Sequence, residues 1–461
     1  MNGVEGTGRS IYYDAEASKQ LVRRFDRRLV PLACWTYLIA YIDRANIGNA
    51  RVSGKASTDM ASELHLSSEQ YNIALVVFLV SYTVFGPPGN LCLKKFGPPT
   101  WIGFIMVIWG ICTCCLGTVQ TRGQLYAVRW LLGMAEASLF GGIVYVFTFY
   151  YRPEERSIRI ALMLASATLA GAFGGALATG ISALDGKRGL AAWRWIFILE
   201  GIPPILTGPL LYFFFPAFPD HAKWLSNDEK KLAFARLQGT NSSHSEDKVG
   251  WKEIKETFTE YNLYLHYILQ FFMSLPFSSL SFFVPSIVQG FGYTGIDSNL
   301  FTVPPWAFAW VCCIVAAFSG DRFDRRGIVI VVSALIGVVA FAVEGALPGD
   351  QFSTRYGFLF IATGATFASF PLQSGWISSN SRTTAISAIA IPLNLSIGAI
   401  GQICGVFIYK ASEKPRYPTG HFVNMASCAM GASCALLLLF VYFGRNIQIK
   451  RNNSNETPWS C

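Results

Sequence analysis

The sequence predicts an all-α membrane protein of twelve transmembrane helices arranged as two six-helix bundles. Three observations predict it. Hydrophobic residues make up 52% of the 461 positions and charged residues only 14%, against roughly 25% charged in soluble domains. The apolar residues gather into runs near the roughly 20 residues that cross a hydrocarbon core about 30 Å thick. Lysine and arginine are concentrated in every second connection between those runs, the asymmetry expected of a polytopic protein.

The predicted spans are 29–50, 71–91, 101–119, 125–147, 160–183 and 195–215 in the first half. In the second half they are 263–288, 300–319, 328–347, 356–376, 385–409 and 423–444. The first 28 residues are polar, so no cleavable signal is expected and the first span serves as the insertion signal. Segment 217–262 is charged, with Asp228-Glu229-Lys230-Lys231 and His244-Ser245-Glu246-Asp247-Lys248. It reads as a hydrophilic linker. The expected organisation is a cytoplasmic tail at 1–28, a bundle at 29–216, a cytoplasmic linker at 217–262, a second bundle at 263–444 and a cytoplasmic tail at 445–461.

With the N-terminus inside, inner segments carry 25 Lys and Arg and outer loops carry ten. Both termini and the linker are therefore expected in the cytoplasm. That topology places Asn241-Ser-Ser243 and Asn452-Asn-Ser454 inside, where glycosylation is not expected. The net charge of +9 follows this loop pattern and forms no basic face of the kind that binds nucleic acid. Most of the eleven cysteines fall inside apolar runs, behave there as small hydrophobes, and lack the spacing of metal ligands or a disulfide framework. No cofactor or metal is expected.

The halves echo each other. The loop after span two carries Lys94-Lys95 and the one after span eight Asp321-Arg322-Phe323-Asp324-Arg325-Arg326. These are read as solvated inner loops or a cytoplasmic latch. Spans five and eleven, equivalent under this repeat, hold Gly171, Gly174, Gly175, Gly180 and Gly398, Gly401, Gly405, small residues that let helices approach closely in lipid. Duplicated bundles with a site between them are a transporter architecture, in which one bundle rocks against the other.

The candidate site follows from charges in the wrong solvent. Arg129 and Glu136 lie seven residues apart inside span four, and Arg44 lies inside span one. Each such charge costs roughly 2.5–3.5 kcal/mol on insertion scales and by default marks a pathway. At 1.5 Å per residue, Arg44 lies roughly 22 Å up span one, Arg129 roughly 6 Å and Glu136 roughly 16 Å below the outer surface. A guanidinium keeps its charge and matches a carboxylate as a planar fork. The expected roles are substrate anion binding for Arg44 and Arg129, and proton binding for Glu136. A buried structural network is the alternative for Arg129 and Glu136, and a pair with Asp43 or Glu200 the alternative for Arg44. Asp43 and Glu200 are read as gate or structural residues.

Further along, Glu344 is expected near the outer headgroups and His266 is read as a satisfied interfacial histidine. Asn394, with Gln270 and Gln373, is a candidate to complete the substrate pocket; interhelical hydrogen bonding is the alternative. Trp306, Trp310 and Phe367 either stack on a flat substrate or pack. The Asp321-Arg-Phe-Asp324 spacing lacks the second acidic motif that a metal-diphosphate site would need.

Several segments resemble one family. Asp43-Arg44-Ala45-Asn46-Ile47-Gly48-Asn49-Ala50 is similar to the signature of fungal anion:cation symporters of the allantoate permease type, within the major facilitator superfamily. Arg129-Trp-Leu-Leu-Gly133-Met-Ala-Glu136-Ala137, Tyr151-Arg152-Pro153-Glu154-Glu155-Arg156 and Trp193-Arg194-Trp195 to Gly201 match as well. So do Phe283-Val284-Pro285-Ser286-Ile287, Trp376 with Asn380, and Pro415-Arg416-Tyr417-Pro418-Thr419-Gly420-His421. The sequence departs from the superfamily pattern at Asn90 and Lys94-Lys95, and at Ser379-Asn380-Ser381-Arg382. The resemblance implies the major facilitator fold and proton-coupled uptake of small organic anions such as nicotinate, pantothenate, biotin or allantoate. The expected partners are that anion, protons and the lipid bilayer, with no nucleic acid; a monomer in the plasma membrane is the expected form. Proton-antiport export and a nontransporting nutrient sensor remain open. No paired nucleophile and base points to an enzyme.

Overall fold

The computed structural model describes residues 15–53, 59–237, 259–293, 296–323, 325–381, 384–452 and 459–460. Twelve long helices follow one another: α1 (Ala15–Val52), α2 (Ser68–Phe96), α3 (Pro98–Leu116), α4 (Arg122–Tyr150), α5 (Pro153–Ser182), α6 (Ala192–Phe214), α7 (Tyr261–Gly290), α8 (Val303–Arg322), α9 (Arg326–Ala346), α10 (Phe352–Asn380), α11 (Thr384–Val406) and α12 (Pro418–Arg451). Among the described residues, nine spans are long and apolar enough to cross a membrane. Helices α1, α10 and α11 fill the remaining positions of the order.

Local chemistry explains several of the ends. Ser67 accepts from the Gln70 amide while Gln70 returns the bond to the Ser67 amide, capping α2; Thr121 and Gln124 do the same for α4. Such reciprocal caps satisfy amides that the first helical turn leaves unpaired. Helix α4 is two segments, Arg122–Glu136 and Leu139–Tyr150. The break falls directly after Glu136, where the Ser138 hydroxyl accepts from the Trp101 indole at 2.9 Å.

Packing reproduces the sequence repeat. Helix α3 lies along α6 as α9 lies along α12; α1 lies along α5 as α7 along α11; α2 lies along α4 as α8 along α10. The halves meet through α1 with α7, α5 with α8 and α10, and α2 with α11. Glycines of the two small-residue spans sit at close helix contacts, Gly171 between the halves and Gly401 within the second half. A Cβ at Gly171 of α5 would fall 2.3 Å from the Trp306 ring of α8, and one at Gly401 of α11 would fall 2.2 Å from the Phe271 carbonyl oxygen of α7. Main chain cannot yield as a side chain can. Gly401→Val is therefore expected to lower stability by about 1–3 kcal/mol, the usual penalty of overpacking, read as a lower thermal midpoint of the purified protein in detergent.

The charged linker is partly a docked helix, Asn227–Leu237. Arg236, buried, gives Glu155 two bonds of 2.6 and 2.7 Å from Nη2 and its carbonyl accepts from Arg152 Nε at 3.0 Å. Arg24 of α1 pairs with Glu229, and Arg159 holds Asp26 at 2.6 and 2.7 Å. Helix α1 thus begins within the stretch read as a tail. Asn241, Ser243 and the tail before Ala15 lie outside the described residues.

Candidate functional site in the first bundle

The three intramembrane charges converge, in a pairing the sequence did not foresee. Arg44 donates from Nη2 to Glu136 Oε1 at 2.6 Å, with side-chain exposures of 9% and 3%. Neither Asp43 nor Glu200 is its partner. The Arg44 guanidinium is also surrounded by aromatic faces, 4.8 Å from the Tyr41 ring, 5.2 Å from Phe78 and 4.7 Å from Tyr82. An aromatic face attracts a cation through its quadrupole, by up to about 2 kcal/mol where water is excluded. Tyr41, Phe78 and Tyr82 were missed from the sequence. Phe78 and Tyr82 face Arg44 from α2, a relation that leaves no trace in periodicity; Tyr41 lies three residues before Arg44 on α1, and that i, i+3 spacing was the one legible signal.

Arg129 is fully buried, and none of its three guanidinium nitrogens has a hydrogen-bond partner among the described residues. Its charge lies near the Phe78 ring, 5.6 Å away. It shares the electrostatic field of Glu136, Arg44 and Asp43. A buried guanidinium without partners is expensive, so this position is held against its own stability.

Asp43 turns away from Arg44. Its Oδ2 accepts from the Trp109 indole N–H and from Thr113 Oγ1 at 3.4 Å, both on α3. Glu200 is buried beside Asn46 and within range of the Asp43 charge. These residues form a polar seam between α1, α3 and α6, adjoining the Arg44–Glu136 pair.

The second half presents rings toward this site. Tyr41 meets Phe277 of α7 edge-on at 6.3 Å, and Phe277 stacks on Phe370 at 4.1 Å and contacts Phe367 at 4.7 Å. Trp306 packs between Phe367 and Gly171. Asn394 lies apart from Arg44: its Nδ2 donates to Gln270 Oε1 at 3.3 Å, joining α11 to α7. His266 is buried and bonded to the Tyr442 hydroxyl at 2.9 Å. Glu344 corrects an expectation. Instead of reaching headgroups it is fully buried, 2.8 Å from His421 Nδ1, because α9 packs that face along α12.

The loops read as a latch are mostly solvated. Lys94 and Lys95 are exposed, as are Arg322 and Arg325. Arg326 is buried and donates to the Gly375 carbonyl at 3.0 Å and to Ser379 Oγ, tying α9 to α10. The Asp321 side chain and Asp324 lie outside what the structure describes. Two apolar grooves, one between α7 and α11 and one between α7 and α12, include none of the charged residues above.

A duplicated twelve-helix membrane bundle with a charged pair buried inside its first half fits the architecture of a secondary transporter. Residues 33–403 match the Major Facilitator Superfamily, and the chain belongs to that family. It is 43% identical over 437 residues to the MFS transporter prlL of a fungal species (strain NRRL 50135), covering 94% of this chain and 88% of that protein. It is 31% identical to the MFS-type transporter cnsO of Penicillium expansum, covering 91% and 82%. Hence this protein is a multi-pass membrane transporter and not an enzyme. Among solved structures it resembles the inward-facing, unoccupied form of a bacterial homologue of the human lysosomal transporter Spinster, at TM-score 0.65 and 16% identity over 92% of this chain and 98% of that one. It also resembles the proton:xylose symporter XylE, at TM-score 0.65 and 15% identity over 94% and 96%. At those identities the likeness is of fold.

Proposed function

We propose that this transporter takes up a small organic anion together with protons, as an anion:cation symporter of the allantoate permease type. The observation that carries the reading is the buried Arg44–Glu136 pair beside the unpartnered Arg129. In this reading Glu136 occupies the Arg44 guanidinium while ionised. A proton on Glu136 frees that planar fork for a substrate carboxylate, which then replaces the glutamate charge for charge. Arg129 supplies a second cation to the same field. The aromatic faces around Arg44 and the Phe277–Phe370 stack opposite would hold the apolar part of the substrate.

Coupling follows from energetics. Carrying an anion alone against an inside-negative potential costs about 2.3 kcal/mol per charge per 100 mV, so at least one proton must accompany it. In this reading the protein works in the plasma membrane as a monomer of two bundles near 29–216 and 263–444, with both termini cytoplasmic, which the loop charges favour.

The test is uptake by a strain lacking its own permeases, across labelled nicotinate, pantothenate, biotin, allantoate and uncharged analogues of matching size. Accumulation of at least one acid, faster at acid external pH and abolished by a protonophore, is expected. Equal transport of the uncharged analogue, or flux only outward, would sink the proposal.

A further inference from the structure

The second half holds a charged cluster that the transport reading leaves unused. Glu344 of α9 and His421 of α12 are both fully buried and 2.8 Å apart at Oε2 and Nδ1. Glu344 Oε1 and His421 Nε2 have no hydrogen-bond partner among the described residues. The Tyr409 hydroxyl lies 3.4 Å from the same ring nitrogen and accepts from Asn424 Nδ2 at 3.2 Å. Asn424 in turn bonds Ser279 of α7. From α10, Arg355 faces Glu344 closely enough for their charges to interact.

Arg355 connects this cluster to the α11–α12 connection. It donates from Nη1 to the Pro415 carbonyl at 3.2 Å and from Nη2 to the Arg416 carbonyl at 2.9 Å. That connection closes over the end of α7. Lys414 reaches Gln289 at 3.1 Å, and a Cβ at Gly290 would stand 3.1 Å from the Pro415 carbonyl oxygen. Glu413 is engaged elsewhere, accepting from Thr419 at the start of α12. Tyr417 lies beneath, within range of Arg51 of α1 in the other half. At this end the halves are joined by the Asn299 amide donating to Ser53 at 2.8 Å.

We propose that Glu344 and His421 form a second proton-binding site, which releases the 410–417 connection from the end of α7 when it gains a proton. While Glu344 is ionised, its charge balances the buried Arg355, and Arg355 can spend its donors on the two loop carbonyls. A proton taken up by the pair leaves the cluster with excess positive charge in a nonaqueous setting. The arginine is then driven toward water, and the loop it holds goes with it. Arg416 of the loop, also cationic, interacts unfavourably with Arg355, so the two separate more readily once Glu344 no longer offsets them. This site lies in the second half, and its working does not depend on which substrate the first half binds.

A buried reporter beneath the loop tests the proposal on purified full-length protein in detergent. Ser286 is buried on α7, one turn below Gly290. Its replacement, Ser286→Cys, is labelled with a maleimide from about pH 5 to about pH 8, the range a histidine site covers, and read at the peptide that carries it, so that native cysteines such as the exposed Cys115 and Cys404 do not contribute. Each rate is divided by that of the exposed position Ser412→Cys, which removes the pH dependence of the thiol itself. The ratio is expected to rise as pH falls, by no more than about tenfold per unit for one linked proton. In Glu344→Gln the ratio is high and flat. If that variant does not fold, Glu344→Asp keeps the charge and is expected to keep the response with a moved midpoint. A flat ratio in the unaltered background overturns the proposal. So does an unchanged response in Glu344→Gln, or an unmoved midpoint in Glu344→Asp.

Discussion

Glu136→Gln is expected to abolish accumulation driven by a proton gradient and to lower the stability of the purified protein. The second effect comes from the partner: Arg44 stays charged and buried once the carboxylate 2.6 Å away is neutral. Removing one member of a buried pair costs about 3–5 kcal/mol, because the other charge is left uncompensated. Its aromatic cage offsets part of that. Replacing both residues, as Arg44→Met with Glu136→Leu, is expected to recover the stability and leave the protein without transport. Thermal midpoints of the single and double variants close a cycle that isolates the pair. Additive losses would mean the two groups are not coupled. Retained proton dependence of uptake in Glu136→Gln would remove the carboxyl from its assigned role.

Arg129→Met is expected to stabilise the protein while stopping anion uptake. The native side chain is fully buried with no hydrogen-bond partner among the described residues, so the folded state carries its desolvation without return. Exchanging buried charges for apolar groups of similar volume commonly stabilises by about 1–4 kcal/mol, and methionine fills the stem's volume with little strain. A raised thermal midpoint with lost uptake would mark Arg129 as a group kept for binding. A lowered midpoint would show that it holds α4 to its neighbours. Retained uptake would assign the anion to Arg44 alone.

The depth estimates for spans one and four put Arg44 and Arg129 at one level and Glu136 nearer the midplane, whereas the structure joins Arg44 to Glu136 directly. The partner choice was out of reach. Arg44 follows Asp43 in sequence, yet on a helix adjacent side chains point about 100° apart, and Asp43 is drawn to Trp109 and Thr113 on α3. Glu344 shows the same limit. Its position near the end of α9 suggested headgroups, but burial depends on which face α12 covers. His421 was visible only as part of a matching motif, without its partners. Span five and span eleven glycines were legible as close-approach positions, because only small residues permit such approach. That Gly171 would meet Trp306 and Gly401 the Phe271 carbonyl required the packed bundle.

By itself the sequence determined the helical membrane class, the order of twelve spans, the duplication and the list of costly charges. Those properties are local or summed along the chain: run length, loop charge and the identity of a residue within a run. Tertiary structure alone decided that Glu136 neutralises Arg44, that Arg129 has no hydrogen-bond partner among the described residues, and that Glu344 meets His421. Each is a relation between helices far apart in sequence. It is set by the azimuth at which one helix packs on another, a quantity that no single span encodes.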